Sequence, residues 1–132
     1  MKPEQSLIAV DDDAESLREL TRFLGNYYSV FATRDPRRAI EQLEKDPSVS
    51  VFIVEQFLPS GPGVDLLENV KILRPKVKRI LLTKFSDLSG IISGLHSGAI
   101  NRMISKPLQR SELAVALVPG GQFSQTPVRQ PV

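Results

Sequence analysis

The sequence predicts an α/β domain, a doubly wound sheet of five parallel strands with five helices packed on its two faces. Three observations carry this. Short apolar runs alternate with segments of helical periodicity, and the joints between them are short. The run Val49-Ser-Val-Phe-Ile-Val54 is continuous rather than alternating and too short for a helix, so that strand is covered on both faces. Residues capable of chemistry follow the carboxyl ends of four runs, the edge where parallel sheets collect ligands.

Leu7 to Val10 is a short buried strand that stops at Asp11-Asp12-Asp13. From Asp13 the period changes, with Leu17, Leu20, Phe23 and Leu24 at helical spacing and Gly25-Asn26 as the stop. Tyr28 to Ala32 is the second strand. Asp35 caps the second helix and Pro36 occupies its first position. Ala39, Ile40 and Leu43 face inward, and Asp46-Pro47 closes the helix. The central strand runs from Val49 to Glu55 and dissolves into a loop rich in proline and glycine. Val64, Leu66, Leu67, Val70 and Leu73 make the third helix, ended by Pro75, and Arg79 to Thr83 is the fourth strand. Ser86-Asp87 caps a fourth helix that passes through Ile91, Ile92 and Leu95 to Gly98. Arg102 to Ser105 is the fifth strand, and Leu108 to Leu117 the fifth helix.

Residues 1–117 thus form one domain, since 132 residues suffice for a single proper core. From Val118 to Val132 the chain turns to Pro, Gly, Gln and Ser, the composition of a disordered tail or the start of a linker. A net charge of +2 with scattered basic residues argues against direct nucleic-acid binding. The chain has no apolar run of about eighteen residues to span a membrane. Its polar amino terminus lacks a secretory pattern, so a cytoplasmic location is expected. Without cysteine, disulfides, thiol chemistry and most structural zinc sites are excluded.

Asp11 and Asp12 follow the first strand, Glu55 ends the third, Thr83 ends the fourth, and Lys106 with Pro107 follows the fifth. In a parallel sheet these ends share one edge, so three carboxylates, a hydroxyl and an ammonium are expected in one cleft. Singly, each has a plainer role: the aspartates can cap the first helix, and threonine is common in strands. No Ser-His-Asp or Cys-His grouping supports a hydrolytic enzyme, and Gly61 and Gly63 match no P-loop pattern. His96, the lone histidine, is expected on the surface.

With Val-Asp11-Asp12-Asp, Glu55-x-x-Leu-Pro59 followed by Gly63, Leu-Leu-Thr83, Gly98-Ala99 and Ser-Lys106-Pro107, residues 6–117 resemble the receiver domains of two-component response regulators. The run from Leu82 to Leu108 is similar to receivers that precede cyclic-dinucleotide phosphodiesterase domains. The resemblance implies a flavodoxin-like fold with strand order 2-1-3-4-5 and a signalling module rather than an enzyme. It implies that Asp11 and Asp12, with the acid at 55, hold magnesium. It also implies that Thr83 bonds a phosphoryl oxygen, and that Lys106 pairs with the phosphoryl group and joins Pro107 through a cis bond. The implied partners are a sensor histidine kinase or another signalling protein, and an output domain beyond the tail. A homodimer through the fourth helix, fifth strand and fifth helix is also implied, with Ile91 or Ile92 exposed there.

Three positions depart from the family pattern. The family's nucleophile is aspartate, whereas this chain carries Glu55. One more methylene advances the carboxylate by about 1.3 Å, and an error of that size in an in-line transfer costs on the order of a hundredfold. Magnesium is then held weakly or not at all, and the longer acid reaches Lys106 or Thr83 in imitation of a phosphorylated aspartate. Lys84 stands where receivers carry Ala or Gly, as a competitor of the metal for Glu55 or Asp12 or as a solvated loop residue. Met103 replaces the aromatic residue that commonly reports activation. The expectation is an atypical receiver that works by protein contact. The alternatives are a conventional magnesium-dependent phosphoacceptor of a phosphorelay and a structural or dimerisation domain with a relic cleft.

Overall fold

The computed structural model describes residues 3–84 and 88–117. Its elements run β1 (Ser6–Val10), α1 (Ala14–Leu24), β2 (Ser29–Thr33), α2 (Pro36–Lys45) and β3 (Val49–Glu55). A two-residue hairpin follows, β4 (Phe57–Leu58) with β5 (Gly61–Pro62), and then α3 (Gly63–Leu73), β6 (Lys78–Thr83), α4 (Leu88–Ser97), β7 (Arg102–Ser105) and α5 (Arg110–Leu117). The five long strands form one sheet in the order β2-β1-β3-β6-β7, and all their pairings are parallel. With the hairpin set aside, that is the expected 2-1-3-4-5.

The central strand explains its own composition. Val51 and Ile53 pack with Leu7, Ala9, Leu20 and Leu113 on one side of the sheet. Phe52 and Val54 pack with Ile8, Val10, Leu43 and Leu67 on the other. Both sides are dry, so neither parity of the strand can be polar. Each fully buried side chain of this size contributes about 1.5–3 kcal/mol, and Phe52, Ile53 and Leu67 are fully buried.

Local chemistry sets the helix starts. Asp13 caps α1 by accepting from the Glu15 N–H at 3.0 Å and the Ser16 hydroxyl at 3.1 Å. Asp35 does the same for α2 through Arg37 N–H at 2.9 Å, with Pro36 preset for the first turn. Gly98, at φ 82°, ends α4 in the left-handed region. The expected cap at Ser86-Asp87 and the expected tail at residues 118–132 lie outside the described residues.

Several boundaries moved. Tyr28 precedes β2 rather than opening it, because its N–H donates to Leu24 O at 2.9 Å at the end of α1; its ring is buried and its hydroxyl donates to Leu117 O at 2.6 Å. Lys78 belongs to β6, and its ammonium donates to Ala116 O at 2.8 Å, so two side chains hold the last turn of α5. That helix starts at Arg110 rather than Leu108, since Gln109 O accepts its first helical hydrogen bond, from Leu113 N–H. Ile91 is buried against α3 and the sheet, and Ile92 is the exposed member of that pair. Among the described residues no helix is long and apolar enough to cross a membrane.

Candidate functional site

The carboxyl ends of β1, β3, β6 and β7 meet at one edge of the sheet, as their registers require. Val10 pairs with Val54, Glu55 with Leu82, and Thr83 with Ser105. Residues immediately beyond these pairs are therefore neighbours, whatever their distance in sequence.

Lys106 is the hub. Its Nζ lies 2.6 Å from Glu55 Oε1 and 2.7 Å from Asp11 Oδ2, and all three side chains are almost entirely buried. The second Glu55 oxygen, Oε2, accepts the Phe57 N–H at 2.9 Å. Both oxygens of Glu55 are therefore engaged, one by an ammonium and one by the backbone two residues ahead. Asp11 Oδ1 accepts the Asp13 N–H at 3.0 Å. The approach of Lys106 to Oδ2 lies outside hydrogen-bonding angles, so that oxygen has an ionic partner but no hydrogen bond.

Burial raises the Asp11 carboxyl above its ordinary range, and the charge of Glu55 adds to this, while Lys106 and the Asp13 amide oppose it. Burial by itself would lower the Lys106 ammonium. The contacts with Asp11 and Glu55 outweigh it and hold the group above its ordinary value. An ammonium that stays charged keeps the two carboxylates together.

Thr83 is buried at the end of β6, and its carbonyl accepts the Lys106 N–H at 3.0 Å. The Lys106-Pro107 bond is cis. Asp12 is half-buried and lines the cavity beside the cleft. Lys84 is exposed, and the ammonium on Glu55 belongs to Lys106. Met103 is exposed on β7, and His96 is exposed on α4. Of the residues singled out in the sequence, the structure joins Asp11, Glu55 and Lys106 in contact. It sets Thr83 beside them, and leaves Asp12, Lys84 and Met103 outside that contact. Among the described residues no group of three or more His, Cys, Asp or Glu side chains is placed to hold a metal ion.

Gln56 was missed in the sequence, where a polar residue after a strand reads as loop. It is buried, and its Oε1 accepts the Val64 N–H at 3.0 Å, supplying the cap that Pro62 cannot give α3. Its own N–H donates to Leu82 O at 2.8 Å, and its carbonyl accepts Gly63 N–H at 2.7 Å. Gln56 thus ties β3, β6 and α3 together next to Glu55. Gly63 is required there, because a Cβ would fall 2.9 Å from the Glu55 carbonyl carbon and closer still to its oxygen.

Known proteins share this arrangement of strands and sequence. The hydrogenase transcriptional regulatory protein HoxA of Cupriavidus necator is 30% identical over 102 residues, covering 77% of this chain and 21% of that protein. The photosynthetic apparatus regulatory protein RegA of Rhodovulum sulfidophilum is 28% identical over 130 residues, covering 96% of this chain and 69% of that protein. The chain spans about a fifth of the length of the HoxA proteins it matches. The signal receiver domain of an HD domain-containing protein from Pseudomonas fluorescens superposes with a TM-score of 0.79 at 31% identity, covering 89% of this chain and 92% of that one. A family model described as the response regulator receiver domain matches residues 7–118, and the chain accordingly belongs to the receiver domains of two-component response regulators.

Proposed function

We propose that this receiver signals by protein contact, with little or no phosphorylation of its central acid. One observation carries the reading: Glu55 already occupies Lys106 at 2.6 Å, the contact that the family's lysine makes with a phosphoryl group. A phosphoryl donor entering here meets a carboxylate with both oxygens engaged, one of them bound to the group that would stabilise the transferred charge. The added methylene also moves the nucleophile out of line. Glu55 on Lys106 takes the place of the phosphorylated state and leaves one conformation of the domain favoured.

Magnesium fits this donor set poorly. The ion takes oxygen ligands in near-octahedral geometry and keeps several waters. Here Lys106 lies between the two buried carboxylates, and among the described residues no three acids are placed to hold an ion together. Asp11, Asp12 and Glu55 would hold a magnesium ion weakly or not at all. Bound, such an ion would neutralise charge on a transferring phosphoryl group.

Partners follow as part of the proposal: a sensor kinase or other signalling protein, and an output domain in the full-length protein. Ile92 and Leu95 on α4, Met103 on β7 and Val115 on α5 are exposed apolar side chains, which suits contact or homodimerisation through those elements. A cytoplasmic location and the absence of catalysis belong to the same reading. A conventional phosphoacceptor is the second reading, favoured by Asp11 Oδ2, which is buried and accepts no hydrogen bond. Incubation with phosphoramidate and magnesium, followed by intact-mass measurement, separates the two. No stable adduct is expected, and stoichiometric modification of the unaltered chain would overturn the proposal.

A further inference from the structure

A cavity of about 490 Å³ opens between the β1–α1 loop and the β3–α3 loop, a volume within the roughly 300–1,000 Å³ of small-ligand sites. Asp12 and Gln56 supply the polar side chains of its lining, and Phe57, Leu58, Pro59 and Pro62 the apolar ones. The apolar lining is a consequence of the β4–β5 hairpin, which turns Phe57 outward and leaves its ring about half exposed.

Among the described residues nothing compensates the charge of Asp12. Asp11 and Glu55 share Lys106, whereas Asp12 has no hydrogen bond or ion pair with any described residue. Lys84, the nearest cation in sequence to the Thr83 strand end, is exposed and forms no ion pair with it. A half-buried carboxylate in a cavity lined mainly by apolar side chains calls for a cation that also carries apolar surface. A hydrated magnesium ion has none, and the side chains of Phe57, Leu58, Pro59 and Pro62 offer its waters no hydrogen bond.

We propose that this pocket receives an arginine or lysine side chain presented by a protein partner. The methylene stem lies along Leu58, Pro59 and Pro62, and the charged head reaches Asp12 with the Phe57 ring beside it. The proposal rests on the reading of this receiver as a contact module with weak magnesium binding. The amide of Phe57 is bound to Glu55 Oε2 at 2.9 Å, so an occupant of the pocket touches the residue that positions the central acid.

The test is an amide NMR titration of the full chain at constant ionic strength, with butylguanidinium chloride as probe, butylurea as its uncharged isostere, and magnesium chloride. Butylguanidinium should produce saturable shifts at Asp12, Phe57, Leu58 and Gly61. Loss of a charged contact should weaken it by about tenfold or more in Asp12→Asn, and Phe57→Ala should weaken it with Asp12 intact. Equal binding of butylurea, unchanged affinity in Asp12→Asn, no saturable shift, or displacement of the guanidinium by magnesium would each overturn the proposal. Phosphorylation is read separately by mass, so failure of the contact-module reading and failure of the pocket are seen independently.

Discussion

The ammonium of Lys106 sits 2.6 Å from Glu55 Oε1, and each of the two side chains is only 7% exposed. At that depth the pair matters less for the energy it adds than for the energy lost when one member is removed. Desolvating two charges offsets most of their attraction, but an orphaned charge has no such offset. The pair therefore fixes where the Glu55 carboxylate can be.

Lys106→Met is predicted to destabilise the domain by about 3–5 kcal/mol, because it leaves Asp11 and Glu55 buried against each other without a counter-ion. Urea denaturation measures this. A loss below about 1 kcal/mol, the value of an exposed pair, would show that the contact is solvated.

The pH dependence has two arms. Lys106 is held above its ordinary 10.5 in the folded chain, so its contribution is complete below that pH and fades as pH rises through the raised value. Asp11 is raised above its ordinary 3.8, so its favourable contribution lies below that pH and is lost as the buried carboxyl ionises. At neutral pH the Asp11 charge is therefore a net cost. Asp11→Asn should raise the melting temperature at pH 7, with the gain shrinking toward pH 3, and thermal melts across that range check it.

Much of this was legible in the sequence, and the failures have physical causes. Continuous apolar runs gave the strands because a doubly covered sheet admits nothing else, and Asp35-Pro36 marked a helix start through chemistry confined to neighbouring residues. The choice between Lys84 and Lys106 as the partner of Glu55 was not local. Both follow strand ends, and only the packed sheet shows Lys106 buried between the acids and Lys84 in solvent. The burial of Gln56 and Arg79 was illegible for the same reason, since the partners that satisfy a buried polar side chain come from distant segments. The β4–β5 hairpin, two residues a side, is too short for any periodicity.

Arg79 illustrates the point and supplies a further prediction. It is buried on β6, and its guanidinium donates to the carbonyls of Pro75, Val77, Gly98 and Ala99 at 2.9–3.0 Å. Those carbonyls lie in the loops before β6 and after α4, so one side chain staples both. Arg79→Lys cannot reproduce the fork, and with several buried acceptors left unpaired it should cost about 2–4 kcal/mol. Chemical denaturation would report it, and a change within 0.5 kcal/mol, typical of surface sites, would contradict the staple.

Gly63→Ala should act on the site as well as on stability. The new Cβ would overlap the Glu55 carbonyl, and the backbone must shift at an overpacking cost of about 1–3 kcal/mol. Because that carbonyl belongs to the residue held by Lys106, the variant should also perturb the Glu55 and Lys106 signals in carboxyl- and amine-selective NMR spectra. Unchanged signals would mean the strand end absorbs the methyl without moving the acid.

The most direct measurement compares the unaltered chain with Glu55→Asp, each incubated with phosphoramidate and magnesium and weighed by intact-mass spectrometry. The account predicts an unmodified parent and a variant that gains one phosphoryl group, since shortening the acid frees Lys106 within an otherwise complete frame. A parent phosphorylated as readily as the variant would contradict it.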